Sequence, residues 1–306
     1  MTTTPSAPVA LFVFNRPEHA RRGLQALAAN PEFESSPLHI FCDGARHVGE
    51  ADAVEAARRV AREWPHPDKH VHEAPANRGL AGSIIGGITA LCRSHGRVIA
   101  IEDDLLVSPY FLHYMNSALD RYADDERVMH VTGYMWPVAL PTDRETVLLP
   151  FMASLGWATW DRAWRHFDAD MRGYPALKRN RAARSRFDLH GSYPYFSLLE
   201  RQRAGKVDSW AIRWYLSVFE AGGLALFPTR TQIVNTGFDG SGTHQARDAA
   251  APEAMLRPAF EALSNAPFPA DTEVDDPSFA AVRKYLRGQS SPMVRIGRRV
   301  RNWMTR

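Results

Sequence analysis

Cysteine is nearly absent: Cys42 and Cys92 are the only two in 306 residues. Two thiols exclude a disulfide framework and any cysteine-rich zinc site. No run of about 18 apolar residues occurs, so no membrane-spanning helix is expected. Met1–Val9 has no basic flank leading into an apolar stretch, which predicts no secretory signal and a cytoplasmic chain. Internal repeats and low-complexity tracts are missing as well. Acidic residues are missing from Pro277 onward, where eight of the 37 Lys and Arg lie. The first 276 residues are therefore net acidic although the whole chain carries +3. An acidic body argues against a general nucleic-acid surface.

What is present has globular composition, 45% hydrophobic and 23% charged, in a chain long enough to bury a large core. Short apolar runs at Val9–Phe14, Leu38–Cys42, His70–Glu73 and Val98–Ile101 read as strands. Helical patterns separate them: one opening at Pro17, one over Ala51–Trp64, and one capped by Asn77 with Leu80, Ile84, Ile88 and Leu91 on a face. Ser108-Pro109 reads as the start of a further helix. Unbroken apolar strands alternating with amphipathic helices predict an α/β fold whose central sheet is mostly parallel, with helices on both faces.

The second half is less regular. Trp136, Trp157, Trp160, Trp164, Trp210 and Trp214 fall close together, and Arg172–Arg186 reads as a basic, solvated linker. Val207–Ala221 reads as a helix and Leu224–Phe227 as a strand, while Ala249–Asp276 reads as a loose wrap.

In open α/β sheets ligands bind beyond the carboxyl ends of the strands. Three such ends carry polar groups: Asn15-Arg16, Asp43 and Glu102-Asp103-Asp104. Three adjacent carboxylates repel one another and call for a compensating cation, a role that suits a hard divalent ion sharing substrate phosphates. The alternative for that triplet is an acidic loop capping the next helix. For Arg16 the alternative is a surface salt bridge, and for Asp43 an Asp-Gly turn.

These residues sit in segments that resemble a known family. VIAIEDDLLVSPYFLHY at Val98–Tyr114 is similar to the metal-binding segment of GT-A fold glycosyltransferases, most nearly the N-acetylglucosaminyltransferase I type. FVFNRPEHARRGLQAL resembles the first strand and loop of family 2 bacterial sugar transferases, which assemble surface polysaccharides. FCDGAR, NRGLAGSIIGGITAL, SLGWATWDRAW, DSWAIRWYLSVF and LFPTRTQIVNTGFDGSGTH follow in the family's order, from Val9 to His244. Each motif is weak alone, and their order carries the resemblance.

The resemblance implies a GT-A domain over residues 1–246, with residues 247–306 as a C-terminal extension. It implies a UDP-sugar donor and Mn²⁺ or Mg²⁺ bound by Asp104. Glu102 and Asp103 would meet the ribose and sugar, Asn15 and Arg16 the nucleotide or its diphosphate, and Asp43 the uracil edge. Asp208 matches the general base of an inverting enzyme, with N-cap of the following helix as its alternative and Asp161 and Glu200 as competitors. Trp157, within Gly156–Trp160, would floor the sugar unless it is core, and His244 would reach the diphosphate unless it is structural.

Met293–Met304 placed on a helix gathers Met293, Ile296, Val300, Trp303 and Met304 within an arc of about 100°, with arginines opposite. That pattern suits an anionic membrane surface on the inner face of the cytoplasmic membrane, and with it a glycan or lipid-linked glycan acceptor. The alternative is a tail packed on its own body. Two other functions compete. A sugar nucleotidyltransferase would need a glycine-rich phosphate loop where Asn15-Arg16-Pro17-Glu18 stands, and a non-catalytic carbohydrate-binding or membrane-surface scaffold would share the fold.

Overall fold

The computed structural model describes residues 5–237, 263 and 268–289. His244, most of the Gly237–His244 loop and the Met293–Met304 segment lie outside the described residues. In chain order the first half runs β1 (Val9–Val13), α1 (Pro17–Ala28), β2 (Leu38–Cys42), α2 (Ala51–Glu63), β3 (Lys69–Glu73), α3 (Gly79–His95) and β4 (Arg97–Glu102). The second half runs β5 (Leu105–Val107), α4 (Phe111–Arg121), β6 (Val128–Thr132), β7 (Thr146–Leu149), β8 (Trp157–Trp160) and α5 (Asp161–Trp164). Then come α6 (Tyr174–Arg179), α7 (Arg181–Phe187), α8 (Tyr195–Arg203), α9 (Trp210–Glu220), β9 (Leu224–Pro228), β10 (Ile233–Asn235) and α10 (Asp276–Gln289).

The α/β expectation holds, with helices on both faces of an eight-stranded sheet ordered β3-β2-β1-β4-β8-β6-β9-β7. Six of its eight strands run one way, as a mostly parallel sheet requires, but two run against them. Strands β3, β2, β1 and β4 are parallel, β8 runs antiparallel between β4 and β6, and β7 runs antiparallel to β9. The physical reason that β8 gave no antiparallel signal is that all its residues are buried, which removes the alternation of a half-exposed strand.

Parallel pairing brings the ends of β1, β2 and β4 to one edge. Asp43 N–H donates to Val13 O and Asp103 N–H to Phe12 O, each at 3.0 Å, which locks the three loops in register. A small antiparallel pair, β5 with β10, sets Asn235 opposite Leu105 and closes that edge from the far side.

Three local expectations change. Arg172–Arg186 folds largely into α6 and α7, because Leu177, Ala183 and Phe187 bury while most of the basic residues face out and Arg184 lies over the Phe196 ring. Asn77 does not cap α3; its amide instead ties to Asp43 and Gly44 O. Asp208 does not cap α9, since Ser209 Oγ accepts from Ile212 N–H.

Trp157 is core. It is 2% exposed and stacks on Trp210 at 4.8 Å and on His130 at 5.2 Å between ring centroids. His130 in turn is fully satisfied as a neutral ring: Nε2 pairs with Ala153 O at 2.9 Å, and Trp214 Nε1–H donates to Nδ1 at 3.2 Å. Toward the C-terminus α10 buries Phe279, Val282 and Leu286, and Asp275 N–H donates to Leu148 O of β7.

A pH dependence follows from two histidines. Burial pushes His130 down to about 4. His39 is also pushed down to about 4, by burial and then by His70, His72 and His95, with Asp68 opposing. Both folded values lie below the ordinary 6.5, so the unfolded chain binds more protons between about pH 6.5 and 4. The share of stability that these two rings supply is fully present above about pH 6.5 and is lost as pH falls toward 4. The difference in melting temperature between the parent and His39→Gln should therefore move against the parent as pH falls from about 7 to about 4.5; a difference constant with pH would contradict this.

Candidate active site

A cavity of about 370 Å³ lies beyond the ends of β1, β2 and β4. Its floor is apolar: Phe12 and Phe41 stack at 5.1 Å, pressed against α3 where that helix carries Gly87. A Cβ at Gly87 would meet both rings at 3.0 Å, so the glycine permits this approach. Asn15, Arg16, Asp43, Glu102, Asp103, Asp104 and Asp208 all line the cavity. Seven of the nine site residues named from the sequence are thus brought together from four separate chain segments. Trp157 does not reach it, and the competitors Asp161 and Glu200 lie elsewhere, paired with Arg165 and bonded by Tyr174 OH respectively.

One wall is built on Asp43, which is buried. Its Oδ1 accepts from Gly44 N–H and Arg78 N–H, both at 2.8 Å, and Oδ2 accepts from Asn77 Nδ2 at 3.0 Å. A Cβ on Gly44 would collide with the backbone of Ala76, so only glycine lets the two loops approach this closely. Asp43 is therefore more than a turn residue: it welds the β2 end to the start of α3. An ionised carboxylate has about four acceptor sites, so three bonds leave capacity facing a ligand. Asn77, Leu80 and Arg46 complete this wall and went unassigned in the sequence. Arg46 sits in the same FCDGAR segment as Asp43, pairs with Glu50 and lies over the Phe14 ring at 5.1 Å.

The opposite wall is acidic. The Arg16 guanidinium bridges Asp103 Oδ1 and Asp104 Oδ2, the latter at 3.1 Å, while Phe14 N–H also donates to Asp103. Burial, followed by Asp104 and Asp103, pushes Glu102 up to about 8. Burial also raises Asp103, although Arg16 opposes it. One arginine thus does not compensate three carboxylates, and a second cation would relieve the cluster. Arg16 Nη1 is buried without a hydrogen-bond partner among the described residues, a donor available to an incoming anion.

Asp104 is the carboxylate accessible to a ligand, its side chain 18% exposed against 5% for Asp103. Its backbone O accepts from Thr236 N–H and Oγ1, and a Cβ on Gly237 would collide with its carboxylate. The backbone after β10 therefore cradles Asp104. Among the described residues no three acidic, histidine or cysteine groups converge as a complete metal site. The donor set fits a hard divalent ion held by Asp104 and neighbouring oxygen, with a diphosphate and water supplying the remainder.

Asp208 stands on the rim, its side chain 64% exposed, with Oδ1 bound by Arg213 Nη2 at 2.7 Å. Its Oδ2 makes no hydrogen bond among the described residues and lies 3.9 Å from where a Cβ on Gly79 would project. Gly79 adopts φ +72°, a left-handed turn that disfavours any side chain there and keeps the approach open.

No protein-family model and no curated protein matches the chain. Among solved structures the chain is similar to the mannosyltransferase PcManGT from Pyrobaculum calidifontis, in complex with GDP-Man and Mn²⁺. That pair is 16% identical over 72% of this chain and 69% of the other, at a TM-score of 0.39. The chain is also similar to S. aureus TarS 1–349, 10% identical over 76% of this chain and 61% of that one, at 0.40. Likenesses this loose carry no argument about activity, so the chemistry rests on the cavity itself.

Proposed function

We propose that the chain is a metal-dependent, inverting glycosyltransferase of the GT-A type. It moves a hexosyl or N-acetylhexosaminyl group from a UDP-sugar to a hydroxyl of a surface glycan, at the inner face of the cytoplasmic membrane. In this reading residues 1–246 form the catalytic domain and residues 247–306 the extension that meets the membrane. The observation that carries it is the convergence of Asp43, Arg16, the Glu102–Asp104 triplet and Asp208 on one cavity.

The walls suit the two ends of a nucleotide. Asp43 and Asn77 offer an acceptor and a fixed amide to a base edge, over the Phe12 and Phe41 rings. Arg16 offers its unpartnered Nη1 to the diphosphate, and in binding it would loosen its hold on Asp104. Asp104 holds Mn²⁺ or Mg²⁺, whose chemistry is to neutralise the charge that grows on the leaving diphosphate.

Arg213 Nη2 donates to Oδ1 of Asp208, which leaves Oδ2 to take the acceptor proton. The acceptor oxygen bonds to the anomeric carbon as its proton passes to Asp208. The carbon–oxygen bond to the diphosphate breaks, and its electron pair departs with the nucleoside diphosphate. Attack from the face opposite the leaving group inverts the sugar.

Asp208→Asn should cut transfer by about 10²–10⁴-fold, the usual contribution of a general base. Nucleotide binding with Mn²⁺ should stay unchanged, because Asp208 pairs only with Arg213 at the rim. Transfer retained at the parent rate would remove Asp208 from this role.

A further inference from the structure

A second, larger pocket of about 580 Å³ adjoins the first. The two meet along the chain: Asp208 lines the acidic cavity and its neighbour Ser209 the second pocket. On the other side Asn235 lines the second pocket, next to Thr236, which bonds the Asp104 backbone. The pocket is thus placed for the molecule whose hydroxyl meets Asp208, and its size is that of a small-molecule site.

Its wall is mostly apolar. Among the described residues no aspartate or glutamate lines it. Five of its polar side chains bond the protein's own backbone, while Tyr134, Tyr193, Tyr195, Ser154 and Arg230 also line it. Thr229 Oγ1 donates to Glu145 O, and Thr231 Oγ1 to Ile233 O. Ser209 Oγ accepts from Ile212 N–H, Asn235 Oδ1 accepts from Gly237 N–H, and Tyr215 OH donates to Phe187 O. A sugar hydroxyl buried here finds no described carboxylate, and five of the polar groups it could pair with are already engaged. Most of the remaining surface is apolar and aromatic, with Trp136, Leu155 and Leu198 half-buried at the wall and Met152 and Ile212 beneath.

We propose that this pocket binds an apolar group carried on the acceptor, next to the hydroxyl that receives the sugar. The acceptor is then an amphiphile, an alkyl- or aryl-bearing alcohol or glycoside, and the pocket selects it against the free sugar. The word acceptor rests on the transferase reading; the ligand chemistry rests on the pocket alone.

Calorimetric titration of the full chain with hexyl β-D-glucoside, phenyl β-D-glucoside and glucose tests this. At least one apolar glucoside should bind about tenfold or more tighter than glucose, the effect of roughly two buried methylene groups. The hexyl and phenyl arms distinguish an alkyl from an aryl occupant. Leu198→Gln and Leu155→Gln, both at half-buried positions, should remove that preference. The thermal shift given by nucleotide with Mn²⁺ serves as the folding control and should not move.

Equal affinity for all three probes, or a preference that survives both substitutions, would overturn the pocket's assignment and leave the transferase reading intact. A Leu198-dependent preference in a protein that no nucleotide stabilises would do the reverse.

Discussion

Replacing Asp104 by alanine is expected to abolish the Mn²⁺-dependent part of nucleotide binding and to lower transfer by about a thousandfold. A cation on a leaving diphosphate is worth several kcal/mol of transition-state stabilisation, and each 1.36 kcal/mol is tenfold in rate. The fold should survive, because the Asp104 side chain is partly exposed and its backbone bonds to Thr236 remain. Asp103→Ala should behave differently. Asp103 is buried, pairs with Arg16 and accepts from Phe14 N–H, so its loss leaves the largely buried guanidinium with Asp104 alone. Melting temperature and Mn²⁺-dependent turnover, measured on both variants, separate ligand from scaffold. Full turnover by Asp104→Ala would sink the assignment of the ion to that carboxylate.

Trp157→Ala should destabilise the chain by about 3–5 kcal/mol, the usual cost of deleting a buried aromatic. For a chain of this size that is on the order of 10 °C in melting temperature. Trp157 touches Trp210, Trp164 and His130 and lines neither pocket. Whatever folds should therefore bind nucleotide with parent affinity. A sugar floor would give the opposite pattern, with weakened donor binding at an unchanged melting temperature.

The strand ends were legible in the sequence because three parallel strands deliver their carboxyl ends to one edge, whatever the loops between them do. Asn15, Arg16, Asp43 and Glu102–Asp104 could thus be gathered from pattern alone. Trp157 could not be assigned the same way, since a buried stack and a sugar floor share one composition. β8 was invisible for a related reason: Trp157–Trp160 lacks the alternation that marks an antiparallel strand, being buried on both sides. The helices α6 and α7 were hidden under arginines whose few apolar partners are too sparse to show a period. Asn77 reads as a helix cap, and only the close approach at Gly44 turns its amide toward Asp43. The apolar pocket is drawn from segments near residues 135, 153, 195, 212 and 232, a grouping that exists only after folding.

The central claim is that this cavity holds a nucleotide together with a divalent ion. A thermal-shift panel of UDP, GDP, CMP and dTDP, each with Mn²⁺ and with EDTA, tests it most directly. At about 100 times its dissociation constant a ligand stabilises by roughly 2.7 kcal/mol, which is on the order of 5 °C here. That rise is expected with UDP and Mn²⁺, and its loss in EDTA. A rise with another nucleotide would overturn the uridine assignment alone, whereas a folded protein that no nucleotide stabilises with Mn²⁺ would contradict the account.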